Sequence, residues 1–425
     1  MPRRPALTPE LDLAARSAAR VILFRLLPIL AAGYALLLVD RAAVGFAAAQ
    51  LQPALGLDAR QLGFIAPILL LGVLLFEVPG AMMADRIGPR AWLVGSLLIW
   101  GLASIGTAAA GTPGAFYWSR CIASAAQAGF VPAAAMLLAS WAPTFCRTRM
   151  LAWLIMAGLA SAALAPLLVP PLLGSDSPGG LAGWRWLFLA IGAPCVLLAG
   201  VLGSRLGDMR RALTAAQRDT LVWLRATEAD GRPLPPRLSA LLDVRLFLLA
   251  GINFGLSLSA VAGSIWYSNL MQDARLSMTA VTIGVLALSG ITVWLWCRRV
   301  DRSDRLADGL VIACALTAVS YAGGVAGGSR LTMLVGLAAH AATLAAARVM
   351  LLSVASRLLA LRGGGAVALA VIDATGLVAA FIAPRVVRAL AEQAQSLHAG
   401  LLGIVLLLIV TAGLAGSLRL VEQRA

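Results

Sequence analysis

Twelve apolar windows of about 20 residues dominate this chain, and each is long enough to cross a bilayer's hydrocarbon core of ~30 Å as a helix. They run over residues 26–48, 62–84, 91–109, 115–138, 151–173 and 185–203, then, after a polar stretch, over 244–270, 279–296, 309–327, 331–354, 366–387 and 398–418. A backbone in hydrocarbon must satisfy its own polar groups, so such windows fold as helices. Of the 425 residues, 60% are apolar and only 12% charged. Soluble domains carry about 25% charge. A disordered chain and an ordinary soluble enzyme are both excluded.

Every one of the 34 basic residues is Arg. A Walker-type phosphate loop and a Schiff-base site both require Lys, so direct ATP drive by this chain is not expected. Five cysteines (Cys121, Cys146, Cys195, Cys297, Cys314) are scattered without a C-x-x-C pair. They read as bystander thiols, and neither a metal nor a cofactor is expected.

The positions of Arg explain the net charge of +15 without nucleic acid. With the N-terminus in the cytoplasm, 25 Arg fall on the inside, 6 outside (Arg60, Arg185, Arg275, Arg330, Arg385, Arg388) and 3 within spans (Arg41, Arg120, Arg348). That bias places both termini in the cytoplasm, and the inner surface should attract anionic lipid headgroups. The expected organisation is a cytoplasmic tail (1–25), a six-helix bundle (26–204), a cytoplasmic linker (205–243), a second six-helix bundle (244–418) and a short tail (419–425). The linker holds the breaker run Pro233–Pro236 and a short amphipathic helix near 214–227. Asp85-Arg86 after span 2 and Asp301-Arg302 after span 8 stand about half a chain apart, which suggests an internal repeat and two pseudo-symmetric halves.

Several stretches are more specific. Asp85-Arg86-Ile87-Gly88-Pro89-Arg90 resembles the loop 2–3 signature of the major facilitator superfamily, with Ala81 at the signature's first Gly and Pro89 in place of an Arg. Asp40-Arg41-Ala42-Ala43-Val44-Gly45-Phe46-Ala47, the Glu77-Val78-Pro79 triplet, Phe116-Tyr117-Trp118-Ser119-Arg120 with Ala128-Gly129-Phe130-Val131-Pro132, and Gly183-Trp184-Arg185-Trp186-Leu187-Phe188 are similar to patterns of its anion:cation symporter branch, the phthalate, tartrate, galactonate and glucarate carriers. The resemblance implies an all-α integral membrane fold of twelve helices and an organic-anion substrate. Two departures stand out. Gln127 occupies the branch's span 4 Glu position, and Asp373 in Ile372-Asp373-Ala374-Thr375-Gly376 occupies a usual Asn position.

Charges inside spans mark function or pairing, because each costs about 2.5–3.5 kcal/mol at mid-bilayer. Asp40 and Arg41 lie some 21 Å into span 1. Two readings stand: Arg41 on a substrate carboxylate with Asp40 carrying a proton, or a structural ion pair between helices. Arg120 can fork onto a carboxylate or snorkel outward. Gln127 lies on the same face about 10 Å deeper, where it can hydrogen-bond a substrate or Arg120 but cannot carry a proton. Asp373 is a candidate to supply the coupling that Gln127 cannot, or a partner for an Arg such as Arg348. His340 is a buried neutral His bonded to a carbonyl or a pH-sensitive switch. Tyr34 and Trp266 can wall a cavity or pack. Glu77, Asp85, Arg86, Gly88, Arg90, Asp301 and Arg302 are expected at a cytoplasmic gate.

The expected function is secondary active transport of a small organic anion, coupled to protons, by alternating access in a bacterial-type inner membrane. The expected partners are the anion, protons and lipid, with no second copy of the chain. The rival readings are an efflux antiporter of amphipathic compounds and a sensor that binds without transport. No nucleophile–base pairing argues for an enzyme.

Overall fold

The computed structural model describes residues 9–174, 180–228, 243–274, 278–303, 305–358, 365–393 and 395–424. Among them there are fifteen α-helices, one 3-10 turn and no strand. In chain order the helices are α1 (Pro9–Arg25), α2 (Leu27–Leu55), α3 (Ala59–Ile87), α4 (Pro89–Ala109), α5 (Pro113–Gln127), α6 (Phe130–Trp141), α7 (Thr144–Leu168), α8 (Gly183–Ala212), α9 (Ala215–Glu228), α10 (Val244–Ala274), α11 (Met278–Ser303), α12 (Leu306–Val325), α13 (Arg330–Leu358), α14 (Gly365–Gln393) and α15 (Leu397–Arg424). Each of the twelve apolar windows falls on helix. Eleven helical stretches are both long and apolar enough to cross a membrane, and α3, with 29 residues, matches them in length.

The fourth window differs from the expected single helix. It breaks between α5 and α6, where Ala128 is extended and Gly129 takes a left-handed conformation with φ +72°. Two local causes combine. Pro132 has no N–H to give to the carbonyl four residues back, and Gly tolerates positive φ without steric cost. The break is also built into the packing. A Cβ on Gly129 would meet the Gly80–Ala81 backbone of α3 at 3.0 Å, and one on Gly80 would meet the Ala128 carbonyl at 2.9 Å. Ser96 of α4 donates to the carbonyl of Ala126, holding the last turn of α5.

Other ends shift for equally local reasons. The first window continues to Leu55, and the helix stops at left-handed Gly56. Helix α8 runs beyond residue 203 to Ala212 before Thr214 opens α9. Thr214 and Gln217 form a reciprocal capping box: the Gln217 N–H donates to Thr214 Oγ1 (3.3 Å), and the Thr214 N–H donates to Gln217 Oε1 (2.9 Å). The Pro233–Pro236 run lies outside the described residues.

The chain divides into two compact units. Among the described residues, one comprises those of 9–143 and 153–228; the other comprises those of 144–152 and 243–424. In the first, α4 and α8 touch backbone to backbone: a Cβ on Gly101 would lie 2.8 Å from the Gly192 carbonyl, and one on Gly192 would lie 2.7 Å from the Gly101 carbonyl. Small residues let helices approach this closely where no hydrophobic force favours helix over lipid. The second unit holds α10–α15. There Gly376 of α14 faces Asn253 and Ser257 of α10. Leu258, Trp266 and Tyr321 form a buried cluster with Ala379 and Ala383 of α14 and Leu401 and Ile404 of α15.

Candidate functional site

In the first unit three side chains meet on one carboxylate. Arg120 of α5 grips Asp40 of α2 with both terminal nitrogens, Nη1 to Oδ1 at 3.0 Å and Nη2 to Oδ2 at 2.8 Å. Gln127, two turns further along α5, donates its Nε2 to the same Oδ2. All three are almost completely buried. Seven residues bring a helix back to nearly the same angle, so α5 presents Arg120 and Gln127 as a row along which Asp40 lies. The Arg120 guanidinium sits 5.1 Å from the Phe188 ring of α8, and Phe188 is braced edge-on by Phe116 and Trp184. Arg120 Nε is buried without a hydrogen bond.

Three donors on one carboxylate make a fixed, neutral charge pair. Such a pair survives burial only when the remaining lone pairs are also used, which Gln127 does. The partner of Arg120 is thus Asp40, eighty positions away in sequence on another helix. Arg41, about 100° round the helix from Asp40, is exposed. Tyr34, half-buried two turns earlier in α2, lies with its ring edge against Gly158 of α7.

In the second unit, Asp373 is half-buried on α14. Its neighbourhood is polar: Asn253 of α10 donates Nδ2 to the Ile372 carbonyl (2.7 Å), and Thr375 donates to the Ala250 carbonyl (3.0 Å). Arg348 has its Nε buried without a hydrogen bond. Trp266 packs edge-on to Tyr321 with ring centroids 5.9 Å apart, and Tyr321 packs on His340 at 4.8 Å. His340 Nδ1 lies 3.4 Å from the Thr317 carbonyl. Trp266 is thus buried in a packed cluster.

The residues expected at a gate lie in both units. Glu77 is buried in α3, Asp85 is half-buried, and Arg86 is exposed at the end of the same helix. Gly88, φ +90°, closes α3 and opens α4. Arg90 donates to the Gly203 carbonyl of α8 at 2.5 Å, inside its own unit. Asp301, at the end of α11, takes Arg149 Nε at 2.7 Å, and Arg149 also reaches the Phe145 carbonyl. The Arg302 side chain lies outside the described residues. Arg149 was one of many Arg residues between apolar windows, and Asn253 is one more polar residue in an apolar window. Neither carries a sequence signal of its own.

Among the described residues no three of His, Cys, Asp or Glu come together as a metal site. The five cysteines are free thiols, four of them buried.

The comparisons agree with this architecture. The family model of the Major Facilitator Superfamily matches residues 30–384. A protein of Agrobacterium vitis named "Putative tartrate transporter" is 29% identical over 408 residues, covering 92% of each chain. A quinolone resistance transporter of Acinetobacter baumannii is 32% identical over 260 residues, 60% of each chain. Among solved structures, the proton:xylose symporter XylE bound to 6-bromo-6-deoxy-D-glucose matches with TM-score 0.70 and 16% identity, covering 93% of this chain and 95% of that one. FucP in its outward conformation matches with TM-score 0.68 and 14% identity, over 92% and 98%. The protein is therefore a multi-pass membrane transporter, not an enzyme, and the chain belongs to the major facilitator superfamily.

Proposed function

We propose that the protein moves a small organic carboxylate together with protons, by alternating access, across a bacterial-type inner membrane with both termini in the cytoplasm. The observation that carries this is the buried Arg120–Asp40 pair with Gln127 on the same carboxylate. A proton arriving on Asp40 neutralises it and releases both Arg120 nitrogens. The freed guanidinium then forks onto a substrate carboxylate. Loss of the proton reverses the exchange, so Asp40 and the anion compete for one cation. Arg41, exposed beside this pair, is a second cation for the anion.

The energetics favour such coupling. An inward-negative potential opposes anion influx by about 2.3 kcal/mol per charge per 100 mV, and one proton carried with each negative charge removes that cost. With Gln127 unable to titrate, Asp373 is the second proton carrier for a dianion. Gating in the second unit falls to Asp301 with Arg149, and in the first to Asp85, Arg86 and Glu77. The Agrobacterium relative's name supports a tartrate-like substrate class.

The test is uptake into proteoliposomes from a pool of sugar acids, tartrate-like diacids and aromatic carboxylates, with and without an inward proton gradient. Gradient-driven uptake abolished by Arg120→Ala is expected. Exchange of anion without any gradient dependence would sink the symport.

One observation favours a second reading, efflux of amphipathic compounds: the quinolone resistance transporter among the relatives. Against it stands the bidentate Arg120–Asp40 pair, in which a carboxylate already occupies the guanidinium that a substrate anion would take over. Raised resistance to such compounds in cells overproducing the protein, with no carboxylate uptake, would select this reading.

A further inference from the structure

The N-terminal helix α1 has a face that the transport site does not use. Its buried side, Ala15, Ala18, Ala19 and Ile22, packs inward. Its outward side carries Leu13, Arg16, Arg20 and Phe24, spaced 3, 4 and 4 residues, which puts all four on one stripe of the helix. Leu13 is 71% exposed and Phe24 73%. Two large apolar side chains at the ends of a stripe with two Arg between them suit neither water nor a protein core.

The position of α1 restricts what this stripe can meet. Helix α2 alone has 29 residues, about 43 Å of rise, more than the hydrocarbon core requires. Helix α1 therefore lies outside that core. The helical path runs on through Leu26, whose N–H bonds the Ile22 carbonyl at 3.0 Å, but Pro28 withholds the N–H that would bond the Phe24 carbonyl, which is sufficient cause for a bend at this point. On the same side of the membrane, six spans later, the linker helix α9 packs beside α1, with Gln217 Nε2 donating to Ser17 Oγ at 2.8 Å. Its exposed side carries Arg218 and Asp219 together with Val222, 63% exposed, and Trp223.

We propose that α1, braced by α9, is an interfacial platform that lies in the headgroup layer and binds anionic phospholipid. Leu13 and Phe24 enter the acyl boundary, while Arg16 and Arg20 take lipid phosphates. Helices that lie in a membrane surface combine these two features, an apolar edge and a basic polar face. Asp12 pairs with Arg16 at 2.8 Å, which orients that guanidinium along the stripe and reduces its net pull.

The experiment uses the full chain in nanodiscs of phosphatidylcholine alone and of phosphatidylcholine with phosphatidylglycerol at 7:3. Nitroxide labels go on Leu13→Cys and Phe24→Cys in a Cys121→Ser background, Cys121 being the cysteine that is not buried. Both labels are expected to collide with oxygen and to be shielded from a water-soluble nickel chelate. Nickel-accessible labels in both lipids overturn the platform, as does dipolar coupling between labels on two chains, which would make the stripe a self-association face. A second measurement is native mass spectrometry of retained lipid. The Arg16→Gln/Arg20→Gln double variant is expected to lose on the order of tenfold in preference for phosphatidylglycerol over phosphatidylcholine. An unchanged preference overturns the assignment of these two Arg residues to anionic headgroups, whatever the labels show.

Discussion

Asp40→Asn and Arg120→Met should harm the protein unequally, although each removes one partner of the same pair. Three donors, Arg120 Nη1 and Nη2 and Gln127 Nε2, converge on two carboxylate oxygens. Asn offers one oxygen and turns an NH2 toward a donor. Arg120 is 2% exposed and cannot give up its proton, so the variant buries an uncompensated cation. Breaking a buried pair in this way costs about 3–5 kcal/mol, or roughly 6–20 °C in unfolding midpoint for a unit of about 200 residues. Arg120→Met leaves a carboxyl that can neutralise itself by taking up a proton, with Gln127 still in reach. The assay is the apparent unfolding midpoint in detergent. Equal losses for the two variants would refute this account of the pair.

Gln127→Glu places a second titratable group beside Asp40 and should add a proton to each transport cycle; the anion gradient that just balances a fixed pH gradient would then move, and an unmoved balance point would count against coupling at this site. Gly101→Val should cost about 1–3 kcal/mol or more by overpacking, because its Cβ would meet the Gly192 carbonyl at 2.8 Å and the Val196 nitrogen at 2.9 Å. Gly95→Ala on the same helix has nothing within 4 Å and should be neutral or stabilising by ~0.5–1 kcal/mol; thermal midpoints of the two compare directly. Arg149→Gln removes the 2.7 Å contact to Asp301, and at ~1 kcal/mol for a partly exposed pair it should speed amide exchange in the last turn of α11 about fivefold.

The twelve helices were legible because bilayer thickness imposes a length on every apolar window, and each window fell on helix. The break in the fourth was not. Its Gly129 and Pro132 were visible, but the stretch is apolar throughout, and the packing of Gly80 against Ala128 that accommodates it is tertiary. In the site, Asp40, Arg120 and Gln127 were each identifiable as polar residues in hydrocarbon. Their convergence was not, since no local rule pairs position 40 with position 120. Sequence spacing suggested Gln127 for Arg120 or a substrate, whereas its donor goes to Asp40. Arg149 was masked by the abundance of Arg between the apolar windows, where an Arg ordinarily reads as a topology signal.

The measurement closest to the central claim is proton movement during anion uptake. Proteoliposomes in weakly buffered medium with a pH-sensitive dye outside receive a tartrate-like dicarboxylate with no imposed gradient. External alkalinisation that follows the anion inward, and that disappears in Asp40→Asn protein shown to be folded, is the predicted result. Anion influx with no change in external pH would contradict it.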